Sequence, residues 1–253
     1  MPSVTLAHLS ATSRIKSALD AERPHRPAPY PPSHLELTRS AMYVPTHFVE
    51  TRPVELHRIL REHPLGMLVT HSARGLDADH LPFEFDPHAG AHGTLLAHIA
   101  RANPLYTEFA AGAEVMVVFR GVDGYISPNW YPSKQETHRQ VPTWNYEVVH
   151  AHGQLRIVDD EKFIRGVVAR LTRHHEATEA RPWKMGDAPK DYMDHMVSQV
   201  VGIEIAISRL QGKRKLSQNR EMRDIQGAVS ELERRHQQGL AATMSSAMAG
   251  RDE

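Results

Sequence analysis

Between Pro53 and His63 the apolar residues Leu56, Ile59 and Leu60 recur on one face at helical spacing, with Pro53 in the first turn and Pro64 closing the pattern. The spacing predicts a short amphipathic helix. Past that point the period changes to two. Gly66–Thr70 reads as a short apolar strand; Leu81, Phe83 and Phe85 alternate with His80, Pro82 and Glu84; Leu95, Ala97 and Ile99 alternate with Leu96 and His98. Turn-forming Ala73–Gly75 and Pro87–Gly90 separate these runs. Glu114–Phe119 has the β-branched content of a buried strand, Trp144–Val158 is a long alternating run broken by Gly153, and Val201, Ile203, Ile205 and Ile207 alternate as one more strand. Helices are predicted over Pro104–Ala111, over Glu161–His174 with a stripe of Phe163, Ile164, Val167, Val168 and Leu171, over residues 190–199, and over residues 221–238. Strands with hairpin-length links early and helices late do not repeat as strand–helix units. The pattern therefore favours an antiparallel barrel with peripheral helices over a doubly wound parallel sheet.

Composition sets the bounds of that fold. A chain of 253 residues, 40% hydrophobic, can bury one sizeable core. Residues 1–41 contain a proline-rich stretch, Glu22–Ser33, that cannot propagate a helix or a sheet ladder, so they are expected to form a disordered extension. Met42 begins the folded part and is a candidate initiator. The expected layout is a folded domain over 42–240 followed by a flexible tail over 241–253. Lysine plus arginine (30) balance aspartate plus glutamate (30), so no global field draws the protein onto nucleic acid or an anionic membrane. The absence of cysteine excludes disulfides and thiolate chemistry. No apolar run reaches the ~20 residues of a membrane span and no secretory pattern opens the chain, so a cytoplasmic, membrane-free protein is expected.

Candidate chemistry concentrates in three segments. Gly124–Pro132 and Val141–His150 supply Tyr125, Trp130, Tyr131, Trp144 and Tyr146 with the amides Asn129 and Asn145; Gly212–Arg220 supplies Lys213, Arg214, Lys215 and Arg220. Flat rings, amide groups and cations are what a flat, phosphorylated ligand requires. A proline-bounded loop and a solvated charged turn are the competing readings of these stretches. Period-two geometry puts Trp144, Tyr146, Val148, His150 and His152 on one face of their strand and Asn145, Glu147, Val149 and Ala151 on the other, without choosing which is interior. Ser217 and Asn219 are good cap residues, so Lys213–Arg220 reads either as a phosphate site at the start of the last helix or as a solvated charged turn. The glycines form neither a dinucleotide fingerprint nor a phosphate-cradling loop. The 18 histidines include His150, His152 and the pair His174–His175, yet no spacing completes a metal site, and no metal is expected. His80 and His98 lie opposite apolar faces and are candidates to share a pocket.

Taken together, Met42–Phe48, His98–Leu105, Val117–Gly121, Tyr125–Tyr131, Val141–Tyr146 and Gly212–Asn219 resemble the PaiB-type family of FMN-binding negative transcriptional regulators, over residues 42 to about 235. The resemblance implies a mainly β, antiparallel split β-barrel with peripheral helices, related to the pyridoxamine-phosphate-oxidase group. It also implies a homodimer holding FMN at its interface and repression of sporulation and protease genes. The cofactor-binding residues it suggests are His98, Ala100, Asn103, Ser127, Trp130, Tyr131, Trp144, Asn145, Tyr146, Lys213, Lys215, Ser217, Gln218 and Asn219. Arg214 departs from the family pattern, where an aromatic is common. Neither a helix pair with a short turn nor a broad basic face supports direct DNA binding, so an operator or a protein partner stays open. A flavin-dependent oxidoreductase acting on a small molecule is the alternative function, and a haem-binding split barrel using the histidines is a weaker one.

Overall fold

The computed structural model describes residues 42–109 and 112–249. The arm expected over residues 1–41 lies outside the described residues.

Helix α1 (Pro53–Glu62) follows the two-residue strand β1 (Val49–Glu50) and buries Leu56, Ile59 and Leu60, the stripe that the spacing predicts. Strands β2 (Leu65–Ser72), β3 (Gly75–Pro82), β4 (Glu84–Asp86) and β5 (Thr94–Ala100) follow, then α2 (Leu105–Glu108) and the long strand β6 (Ala113–Ile126). A 3-10 turn at Pro128–Trp130 and α3 (Pro132–Thr137) lead to β7 (Thr143–Val158). Helices α4 (Glu161–His175) and α5 (Lys190–Ser198) precede β8 (Val200–Lys215), and α6 (Met222–Arg234) and α7 (Gln238–Ala249) close the described chain. All strand pairings are antiparallel, in the order β3-β2-β6-β7-β8-β5-β4, with β1 added to β8.

The alternating inward positions of β2, β5, β6, β7 and β8 all deliver into one core, where Leu68, Leu95, Val117, Val149 and Ile203 meet Ile59 and Leu60 of α1. One face thus wraps a single interior. Asn103 Nδ2 donates to Asp79 Oδ1 at 2.8 Å, tying the end of β5 to β3, near the opposite end of the strand order. The sheet is a split barrel. A bulge between His152 and Gly153 resets the pairing of β7 with β8. A side chain at Gly153 would meet the Ala206 carbonyl oxygen at 2.5 Å and Ile205 Cγ2 at 2.7 Å. Gly153→Ala is therefore expected to destabilise the fold by about 1–3 kcal/mol, read as a lower urea midpoint at unchanged slope.

The C-terminal segment corrects the expected layout. Residues 238–249, expected largely as a flexible tail, form α7, and the predicted single helix over 221–238 ends at Arg234. His236, at φ 59°, turns the chain between the two helices. Leu240, Ala241 and Met244 then pack into a second core with Ile126, Tyr131, Leu216, Ile225 and Leu232. Alanine and methionine favour helix, and the apolar spacing is short but sufficient once α6 and the end of β6 offer a surface.

Candidate functional site

Three of the predicted segments converge at one end of the barrel, because the end of β6 pairs with the start of β7 and the start of β7 with the end of β8. Tyr125 lies opposite Trp144, and Tyr146 opposite Lys215. Antiparallel partners share a face, so Tyr125, Trp144, Tyr146, Lys213 and Lys215 all point outward. Trp144 is 54% exposed and Tyr125 43%, with ring centroids 6.3 Å apart, and Trp130 stands edge-on to Tyr125 at 6.4 Å. Lys213 Nζ lies 5.4 Å from the Tyr146 ring centre and donates to the Tyr43 carbonyl at 3.2 Å. Lys215 donates to Thr143 Oγ1. Burial lowers the Lys215 pKa, and the charges of Lys213 and Arg220 lower it further. Cations held close together, beside exposed indole and phenol rings, form a surface that an aromatic phosphate would neutralise.

The opposite face of β7 is interior: Asn145, Glu147, Val149 and Ala151 are buried. Asn145 Nδ2 donates to Ser217 Oγ at 2.9 Å and to Met244 Sδ at 3.3 Å, and the Tyr131 hydroxyl lies 3.4 Å from Ser217 Oγ. Gln218 accepts from the Leu216 N–H at 2.7 Å and donates to the Arg214 carbonyl at 2.6 Å. Ser217, at φ 70°, is thereby locked into the turn that ends β8. These side chains support the site from behind. The expected capping role does not form, because α6 takes Glu221 as its N-cap, while Asn219 is exposed. Ser127 Oγ accepts from the Asn129 N–H at 3.2 Å and shapes the loop that presents Trp130, whose ring lies 5.0 Å from the Arg235 guanidinium.

His98, Ala100 and Asn103 are not brought to this end. Ala100 pairs with Val200 at the start of β8, whereas Tyr146 pairs with Lys215 at its end. These points lie at the two ends of a 16-residue strand, about 50 Å measured along the strand. His98 shares its strand face with Leu96, which packs on Val167 and Leu171 of α4; its Nδ1 is buried without a hydrogen-bond partner, and burial lowers its pKa. Asn103 accepts from the Leu105 N–H at 2.8 Å and holds Asp79, as described above. The register of distant strands produces this separation, and no local pattern signals it.

A buried charge network escapes the residue-type reading. Arg214 Nε donates to Glu147 Oε1 at 2.6 Å, and the same oxygen takes Arg58 Nη2 at 2.7 Å. Glu50 and Glu55 lie 3.4 and 3.3 Å from Arg214 Nη1. Gly121 leaves room for it: a Cβ there would stand 3.1 Å from Glu147 Oε2. The available signal is the period-two pattern, which places Glu147 on the same face as Asn145, Val149 and Ala151.

The α6–α7 pair meets through a turn at residues 235–237, the short link that the sequence reading does not detect. Residues 238–249 carry no lysine or arginine, so α7 offers no charged phosphate contact of the kind that anchors a recognition helix. Among the described residues no helix is long and apolar enough to cross a membrane, and no cluster of three metal-ligating side chains occurs.

A family model described as "Putative FMN-binding domain" matches residues 42–209. The chain belongs to this family. The FMN-binding family match spans His98–Asn103, Ser127–Tyr131 and Trp144–Tyr146 and stops before Lys213. The chain is 31% identical over 227 residues to an uncharacterized protein of Emericella nidulans, covering 76% of this chain and 90% of that protein. It is 28% identical over 192 residues to the protease synthase and sporulation protein PAI 2 of Bacillus subtilis, covering 76% and 89%. Among solved structures it is similar to the FAD and heme binding protein from Mycobacterium smegmatis, with 16% identity, a TM-score of 0.48, and coverage of 66% of this chain and 73% of that one. FMN is the cofactor of this FMN-binding family. The outward lysines and exposed rings fit its two ends, a dianionic phosphate and a flat heteroaromatic system.

Proposed function

We propose that the protein is a homodimeric FMN-binding regulator of gene expression, in which Lys213 and Lys215 hold the phosphate and Trp144 lies against the isoalloxazine. The observation that carries this reading is the outward pairing of clustered lysines with an exposed tryptophan on the same strand face. FMN supplies a redox-active ring, whose state a regulator can report. Around it the chain's own groups bind and orient: lysine charge at the phosphate, indole against the ring, and the Asn145–Ser217 bond fixing the turn beneath.

Dimerisation completes the site. A two-fold partner can bring its His98–Asn103 segment to this protomer's Trp144–Lys215 end, which one chain alone keeps at opposite ends of β8. Met67, Val69, Met116 and Val118 are only partly buried on the outer face of β2 and β6, and they offer an apolar surface for that contact. The regulatory part rests on the likeness to the Bacillus subtilis sporulation protein. The uncharged α7 favours a protein partner over direct DNA binding.

Sedimentation and fluorescence of the FMN-loaded protein test the reading together. A species of twice the monomer mass with strongly quenched flavin is expected, and Trp144→Leu should restore emission and cost about 1–3 kcal/mol of affinity. A lower melting temperature with unchanged flavin emission would remove Trp144 from the ring. A Soret band in the purified protein would favour haem instead, and steady NAD(P)H consumption without an effect on transcription would favour the oxidoreductase.

A further inference from the structure

One cavity on the protomer contains none of the residues proposed for FMN. It encloses 640 Å³ between β1, the start of α1, the loop after β4 and one stretch of β8. That volume lies in the range of small-molecule pockets, roughly 300–1,000 Å³. Its origin is a gap in the sheet. The pairing of β5 with β8 ends at Thr94–Ala206, and the pairing of β1 with β8 begins at Glu50–Gly212. Residues 208–211 of β8 therefore have no strand neighbour on that edge among the described residues. The bulge described above falls in the same stretch, turning Leu210 toward the core and Arg209 onto the outer face beside His152.

The walls are apolar, with Val44, Val49, Leu56 and Leu210 among them, whereas the charge is one-sided. Glu50, the carboxylate of the lining, is already matched: it accepts from the Arg52 N–H at 2.9 Å, Nε at 3.0 Å and Nη2 at 2.6 Å, and lies beside Arg214. Arg209 is half-buried and has no ion-pair or hydrogen-bond partner among the described residues. Arg209 reaches the edge of the cavity from the outer face, and a half-buried guanidinium at the rim of an apolar cavity whose carboxylate is already occupied is complementary to an anion with an apolar body.

We infer that this cavity is a second ligand site, taking a small amphipathic carboxylate whose apolar part fills the gap beside β8 and whose acid group pairs with Arg209. The inference does not rest on the flavin reading, because the two residue sets are disjoint. It supplies an effector site separate from the cofactor.

Calorimetric titration of the FMN-saturated full chain with decanoate and with decanol tests it. Decanoate should bind saturably, about tenfold or more tighter than decanol. Arg209→Gln should remove that preference and leave decanol binding unchanged. Val44→Trp, which fills the cavity from a partly exposed position, should abolish both, with FMN affinity intact in both variants. The inference is overturned if decanoate shows no saturable binding, if Arg209→Gln retains the preference for the acid, or if decanoate displaces FMN one for one. The last result would make the cavity part of the flavin site.

Discussion

Glu147→Gln should lower the melting temperature by roughly 6–20 °C, the largest stability effect expected from a single polar substitution in this protein. Glu147 is the carboxylate on which Arg58 and Arg214 converge, at 2.7 and 2.6 Å. Glutamine keeps the shape and removes the charge, which leaves two guanidiniums to share Glu50, Glu55 and Glu62. Breaking a buried pair by neutralising one member costs about 3–5 kcal/mol, and for a chain of this size each kcal/mol shifts the melting temperature by about 2–4 °C. Replacing Glu147 and Arg214 together with apolar residues, Glu147→Leu with Arg214→Met, should recover much of the loss, because Arg58 keeps Glu55 and Glu62 and Glu50 keeps Arg52. A single variant that melts within about 2 °C of the parent would show that water already screens the network.

Lys215→Ala should weaken FMN by roughly tenfold to a hundredfold and leave riboflavin almost unaffected. One charge-assisted contact to a phosphate contributes about 1.5–3 kcal/mol, and riboflavin differs from FMN by that phosphate alone. Lys215 is the choice over Lys213 because Lys213 already serves the Tyr43 carbonyl and two tyrosine rings. The pH dependence has a definite sign. The lysine must be protonated to hold the phosphate, and burial with neighbouring cations lowers its pKa. FMN affinity should therefore fall, as pH rises, before an ordinary lysine would titrate, and this loss should be absent in Lys215→Ala. Equal weakening of FMN and riboflavin on mutation would mean that Lys215 never meets the phosphate.

Much of the sheet was legible because alternation is a local signal, clear within a few neighbouring residues of β5, β7 and the first half of β8; β3 carries no such alternation, and Lys213–Lys215, read as part of a charged turn, extend β8 instead. Helices α1 and α4 were legible for the same reason, through stripes at i, i+3 and i+4. The aromatic and basic segments of the site could also be located, since their composition is unusual over short stretches. Helix α7 was not, because an uncharged, alanine-rich segment after a glycine becomes an ordered helix only when the end of β6 and α6 give Leu240 and Met244 a surface to cover.

Alternation by itself determined that Trp144, Tyr146 and the histidines oppose Asn145 and Glu147 across β7. Only the tertiary structure decided which set is inside, because that choice depends on Arg58 and Arg214 arriving from other parts of the chain to compensate a buried carboxylate. The tertiary structure alone also separated His98–Asn103 from Lys213–Asn219. Both motifs flank the same strand, and the pairing of β5 with the beginning of β8 and of β7 with its end is a long-range register that no window of sequence contains.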